Sequence, residues 1–112
     1  IVADGFYEWQ KMEKGKKPFH FSLRSAEPFG FAGLYETWMS PENKPVKTCT
    51  IITTDANDLL KPIHDRMPVI VSKDKEALWM DPDVPDPREL AAILKPYPAG
   101  EMKMAEGFLP AL

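Results

Sequence analysis

The sequence predicts an α+β fold, mainly antiparallel β-sheet with a few short helices. Three observations carry that prediction. Aromatic and branched residues alternate with polar ones through the first half of the 112 residues. Clusters of Gly, Pro, Asn and Lys interrupt the alternation at short intervals, which suits strands joined by tight turns and pairing antiparallel. Helix-start signals are brief and confined to the second half.

Taken in order, strands are expected at about 1–12, 18–24, 29–38, 46–54 and 67–72. Lys14-Gly15-Lys16-Lys17-Pro18 reads as a hairpin turn, and Ser40-Pro41-Glu42-Asn43-Lys44-Pro45 as a longer loop. Asp55 to Lys61 reads as a helical turn with Thr54 or Asp55 as its N-cap and Pro62 limiting it. Lys73 to Trp79 is a further short helix that turns Leu78 and Trp79 inward. Asp86 as N-cap, Pro87 at the first helical position and Glu89 at the third form a capping-box start, after which Leu90, Ile93 and Leu94 share a face. The twelve prolines are concentrated in connections, especially after Asp81.

Composition narrows the function classes. Hydrophobic residues at 44% and charged residues at 28% are ordinary for a soluble globular protein, and one domain is expected. The longest apolar run is too short to cross a bilayer, and no basic-then-apolar leader opens the chain, so a cytoplasmic protein without membrane contact is expected. A net charge of −3 argues against coating nucleic acid by bulk electrostatics and leaves a local basic groove open. A single cysteine, Cys49, leaves no internal disulfide and no multi-cysteine zinc site, and suits a reducing compartment. The chain opens directly in strand pattern at Ile1, which reads as a piece of a longer polypeptide.

The chemistry concentrates in Ile63-His64-Asp65-Arg66-Met67-Pro68-Val69, where an imidazole, a carboxylate and a guanidinium stand side by side between apolar runs. Histidine as a residue type changes charge near neutrality, so His64 suits the role of acid or base, or that of a structural turn histidine. Arg66 is a partner for Asp65 or a planar donor for phosphate. In Asp4-Gly5-Phe6-Tyr7-Glu8-Trp9, alternation puts Val2, Phe6 and Glu8 on one strand face and Tyr7 and Trp9 on the other. A carboxylate on an apolar face is partly desolvated and suited to proton transfer near neutral pH; an edge-strand Glu in water is the plainer reading. Thr53 and Thr54 offer hydroxyls where an anion could dock, or cap the following turn. The plain readings hold elsewhere: an exposed His20, a buried strand Cys49, a paired or solvated Glu36, and Trp9, Trp38 and Trp79 in the core rather than as base-stacking platforms. The two histidines are not at metal-ligand spacing, and no cofactor is expected.

Four blocks together resemble the SOS response-associated peptidase (SRAP) family in order and spacing. They are Ala3-Asp4-Gly5-Phe6-Tyr7-Glu8-Trp9, Phe31-Ala32-Gly33-Leu34-Tyr35-Glu36-Thr37-Trp38, Thr48-Cys49-Thr50-Ile51-Ile52-Thr53-Thr54-Asp55-Ala56-Asn57 and Ile63-His64-Asp65-Arg66-Met67-Pro68-Val69. The resemblance implies a sensor of abasic sites in single-stranded DNA. Family members remove their own N-terminal residue or residues to expose a cysteine, whose amine and thiol condense with the abasic sugar aldehyde as a thiazolidine. It implies catalytic roles for Glu8 and His64, with Glu8 positioning the amine and moving protons and His64 assisting opening of the sugar ring and reversal. It implies DNA contacts for Arg66 and Thr53. It also implies that residues 1–112 are a partial SRAP domain: the family's N-terminal, cysteine-bearing segment has no counterpart here, and that segment is an expected partner. Met102 to Leu112 show no clear match to the family's closing strand.

Two functional readings follow. One is the later part of a DNA-crosslinking, self-processing domain, expected to be monomeric. The other is a non-catalytic module that binds single-stranded DNA or a protein on the same scaffold.

Overall fold

In a computed structural model, residues 1–83 and 86–110 are described. Among them, β2 (Phe6–Lys11), β3 (Lys16–Leu23) and β10 (Met102–Glu106) form an antiparallel sheet in the order β10-β3-β2. A second sheet runs β1 (Val2–Ala3), β4 (Phe29–Phe31), β9 (Ile70–Val71). Two antiparallel ribbons complete the strands, β5 (Gly33–Met39) with β6 (Pro45–Ile51) and β7 (Thr53–Asp55) with β8 (Arg66–Pro68). Helices are limited to α1 (Glu76–Trp79), α2 (Pro87–Ala91) and 3-10 turns at Lys73–Lys75 and Ala99–Glu101. The α+β, mainly antiparallel expectation therefore holds.

The strands expected at 29–38, 46–54 and 67–72 each break in two, and one device explains all three breaks. Ala32, Ile52 and Val69 sit at the breaks and bond to one another in a ring. The Ala32 N–H donates to the Val69 carbonyl, the Ile52 N–H to the Ala32 carbonyl and the Val69 N–H to the Ile52 carbonyl, each at 2.9 Å. Each strand changes partner there, and the ring satisfies backbone groups that would otherwise be buried without one. Ala32 and Val69 are fully buried, and Ile52 packs against the same cluster. The exchange brings β7 alongside β8, which sets Thr53 opposite Pro68 and Asp55 opposite Arg66.

The first strand also breaks, at Asp4–Gly5. A Cβ at Gly5 would lie 2.6 Å from His20 Cε1 and 2.9 Å from the Phe21 carbonyl oxygen, so only glycine fits this bend. At the other end of β2, Gly15 adopts φ +81° and its carbonyl accepts from Met12 N–H, closing the hairpin at Met12–Gly15, slightly earlier than the sequence pattern indicates.

Alternation then sorts the residues of the β10-β3-β2 sheet. Phe6 and Glu8 lie on the core face opposite Phe21 and Phe19, with Phe6 stacked on Phe21 at 5.4 Å and edge-on to Phe31 at 5.8 Å. The main core joins these rings to Leu23, Phe29, Ala56, Leu60, Met67, Ile70 and Met102. Phe21, Leu60, Met67 and Met102 are fully buried, each stabilising the fold by about 1.5–3 kcal/mol. A smaller cluster of Ala32, Val69, Val71 and Ile93 packs with Leu78, Trp79 and Leu90, which bears out the inward turn of Leu78 and Trp79.

Several expectations are corrected. The helical turn expected at Asp55 to Lys61 starts later and has another cap: Asp55 ends β7, and Asn57, not Thr54 or Asp55, organises the turn that follows. Its Oδ1 accepts from the N–H groups of Leu59 and Leu60, its carbonyl accepts from the Lys61 N–H at 2.9 Å as in one helical turn, and its Nδ2 donates to the Tyr97 carbonyl. The Asp86 carboxylate caps α2 through the Arg88 N–H, but the helix stops at Ala91, leaving Leu94 exposed while Ile93 is buried. Met102–Glu106, in the segment that shows no clear match to the family's closing strand, is nonetheless a strand and adds β10 to the free edge of β3; Ala111 and Leu112 lie outside the described residues, as do Val84 and Pro85 of the connection after Asp81. Trp9 and Trp38 are exposed rather than core, and only Trp79 packs inward.

Candidate functional site

Glu8 projects from the core face of β2 between Phe6 and Gln10, opposite Phe19. It is half-buried, and burial pushes its carboxyl above its ordinary value of 4.5. The charge of His64 and a hydrogen bond from the Trp9 backbone act the other way and only partly offset that rise. The carboxyl is thus held nearer to neutrality than a solvated glutamate, with an imidazole close enough to act on it.

His64 follows a tightly anchored loop. Leu59, Leu60 and Ile63 pack into the main core, and the Leu60 carbonyl accepts from the N–H groups of Ile63 at 2.7 Å and His64 at 2.9 Å. The Ala56 N–H closes the loop onto the Asp65 carbonyl at 3.0 Å. The ring Nδ1 lies 3.2 Å from the Arg66 N–H and 3.0 Å from the Arg66 carbonyl. A neutral ring accepts from that N–H and an imidazolium donates to that carbonyl, so Nδ1 has a backbone partner in either state and Nε2 is left for chemistry. Asp65 Oδ1 stands 3.6 Å from Nδ1 at the exposed side of the loop.

Arg66 opens β8, and its partner is Asp55 rather than the adjacent Asp65. Nη1 donates to Asp55 Oδ1 at 2.8 Å, while Nη2 donates to the Thr53 carbonyl at 2.8 Å and the Thr53 hydroxyl at 3.2 Å. Thr53 and Thr54 lie within β7 and cap nothing; the cap is Asn57. The guanidinium is half-exposed, and its five donors exceed the three bonds it makes.

Other candidates lie apart. His20 is half-buried rather than exposed, set edge-on to Tyr7 at 5.0 Å on the face of the sheet opposite Glu8. Phe108 covers Tyr7 on that face, and the Leu109 N–H donates to the Tyr7 hydroxyl at 3.0 Å. Cys49 is exposed, not buried: it pairs with Tyr35 in the β5–β6 ribbon, whose strands are solvent-facing along nearly their whole length. Glu36, opposite Thr48, is exposed in the same ribbon. Among the described residues no group of three or more His, Cys, Asp and Glu is placed to hold a metal, and no helix is long and apolar enough to cross a membrane. Two clefts of about 420 and 650 Å³ are lined by residues that include neither Glu8 nor His64. Asp55 and Asn57 escape a reading of the sequence for chemistry, since only the pairing of β7 with β8 and the Asn57 side-chain bonds reveal what they hold.

The profile of the SOS response associated peptidase (SRAP) family matches residues 1–106. Over 104 residues the chain is 49% identical to abasic site processing protein YoqW of Bacillus subtilis (strain 168), a match that covers 92% of this chain and 46% of YoqW. It is 35% identical over 118 residues to abasic site processing protein HMCES of Gallus gallus, covering 86% of this chain and 34% of that protein. Among solved structures, a Bacteroides thetaiotaomicron protein shares the fold with a TM-score of 0.87 at 29% identity, over 95% of this chain and 47% of that one. The chain spans about half the length of the Bacillus relatives it matches. With nearly its whole length matched by the family profile, this chain belongs to the SRAP family.

Proposed function

We propose that Glu8, His64, Arg66 and Thr53 form the proton-transfer and phosphate-holding part of a site that processes abasic sites in single-stranded DNA. The observation that carries this reading is a burial-raised carboxyl with an imidazole whose charge reaches it, the imidazole standing two residues before an arginine whose guanidinium is already oriented by Thr53 and Asp55. The names of YoqW and HMCES support the substrate class.

In this scheme the amine of an N-terminal cysteine, freed by removal of the residue or residues before it, adds to the aldehyde carbon of the open sugar. Loss of one water gives an imine, and addition of the thiol to the imine carbon closes a thiazolidine. Glu8 takes a proton from the attacking amine and returns one to the departing oxygen, work that calls for a carboxyl poised near the operating pH. His64 Nε2 moves the proton that opens the sugar ring and serves the reverse reaction. Arg66 holds a backbone phosphate through its spare donors, a local contact compatible with a net charge of −3. Cys49 does not substitute for the nucleophile, since its nitrogen is part of a strand amide.

That last point also favours the second reading, a non-catalytic single-stranded DNA or protein-binding module, for the 112 residues alone. Incubation of the folded 112-residue chain with single-stranded DNA bearing one abasic site separates the possibilities. The expected result is a complex on a native gel and no band shift on a denaturing gel. A covalent adduct would put the nucleophile inside these residues and overturn the scheme.

A further inference from the structure

We propose that Gln10 is a positioning residue that fixes the His64 loop against the strand carrying Glu8. The inference rests on the reading of Glu8 and His64 as a working pair. Gln10 shares the face of β2 with Glu8, two residues further along, and its Nε2 donates to the Pro62 carbonyl at 2.9 Å across 52 residues of sequence. Pro62 stands two residues before His64.

The remaining bonds of the 56–65 loop are made within it or to other neighbours. Asn57 ties its start to Tyr97, Leu60 ties its centre to Ile63 and His64, and Ala56 closes it on Asp65. Among the described residues, the Gln10–Pro62 bond is the one hydrogen bond joining β2 to this loop. Phe6, Leu59 and Ile63 also meet through the main core, but apolar packing is non-directional and sets separation more than orientation. A donor on β2 aimed at one carbonyl supplies the missing direction.

The test reads the geometry of the pair without DNA. In the 112-residue chain labelled with ¹³C at glutamate carboxyls, Glu8 is assigned by Glu8→Gln and its titration midpoint is measured in a double-mutant cycle. His64→Gln removes the charge that favours the Glu8 carboxylate, so it raises the midpoint in the Gln10 background. With Gln10→Met, of similar size but without the donor, that increment is expected to fall by at least about half. Gln10→Ala serves if the Met variant does not fold, and circular dichroism confirms that the compared chains are folded. Equal increments in the two backgrounds would overturn the role of Gln10, as would the absence of any increment in the parent. An adduct-forming longer chain with equal increments contradicts the Gln10 inference alone. A chain that shows the expected cycle but handles no abasic DNA contradicts the proposed function alone.

Discussion

Arg66 grips Thr53 at two points, donating from Nη2 to its main-chain carbonyl at 2.8 Å and to its hydroxyl at 3.2 Å. With Asp55 on Nη1, the guanidinium plane is fixed before any ligand arrives. The ion pair is solvent-exposed, so Arg66→Ala should lower stability by only about 1 kcal/mol or less from its loss. Its larger effect should be on DNA. If Arg66 neutralises one phosphate, the slope of log affinity against log salt for single-stranded DNA should shrink by about 0.7. Arg66→Lys should recover little of the orientation, because an ammonium lacks the planar fork that reaches Asp55 and Thr53 together. Titrations of binding at several salt concentrations measure both effects.

Glu8 makes a pH-dependent prediction whose sign follows from its raised carboxyl. Folding favours the protonated form, so the stabilisation tied to that proton is fully present below the unfolded value, near 4.5, and is lost as pH rises through the folded value. Glu8→Gln keeps a neutral side chain at every pH. The melting temperature of the variant relative to the parent should therefore rise between pH 4 and pH 7, while the two chains converge at the acid end. Thermal unfolding across that range checks it, and a variant that loses ground with rising pH would mean the carboxylate is stabilised by its surroundings instead.

Gly5 predicts a steric cost that a second change partly relieves. Gly5→Ala drives a methyl into the His20 ring and against the Phe21 carbonyl, and overpacking of this kind typically costs about 1–3 kcal/mol. Removing the ring in Gly5→Ala/His20→Ala should recover part of that loss, and the contact with the Phe21 backbone should keep the rest. Chemical denaturation of the two single variants and the double variant gives the coupling.

Local pattern carried much of this fold. Period-two alternation places Phe6 and Glu8 together on the core face, Gly15 marks the hairpin, and Leu78 and Trp79 turn inward as their spacing requires. The partner exchange at Ala32, Ile52 and Val69 was illegible because it consists of backbone bonds between residues 17 to 37 apart, with nothing polar in the side chains to announce it. The same nonlocality hid the pairing of Arg66 with Asp55: the nearer carboxylate in sequence is Asp65, but β7 and β8 bring Asp55 opposite. Thr54 and Asp55 offer themselves as caps for the turn before Pro62, but both are taken up in β7, and Asn57 caps the turn through its own side chain. Trp9, Trp38 and Cys49 read as core since strand alternation cannot tell a covered face from an open one.

The most direct measurement joins these residues to a family N-terminal segment that begins with cysteine and follows adduct formation with single-stranded DNA bearing one abasic site. The account predicts a denaturation-resistant adduct that forms about 10²-fold or more slowly with Glu8→Gln. A folded joined chain that forms no adduct, or one whose rate is indifferent to Glu8, would contradict it.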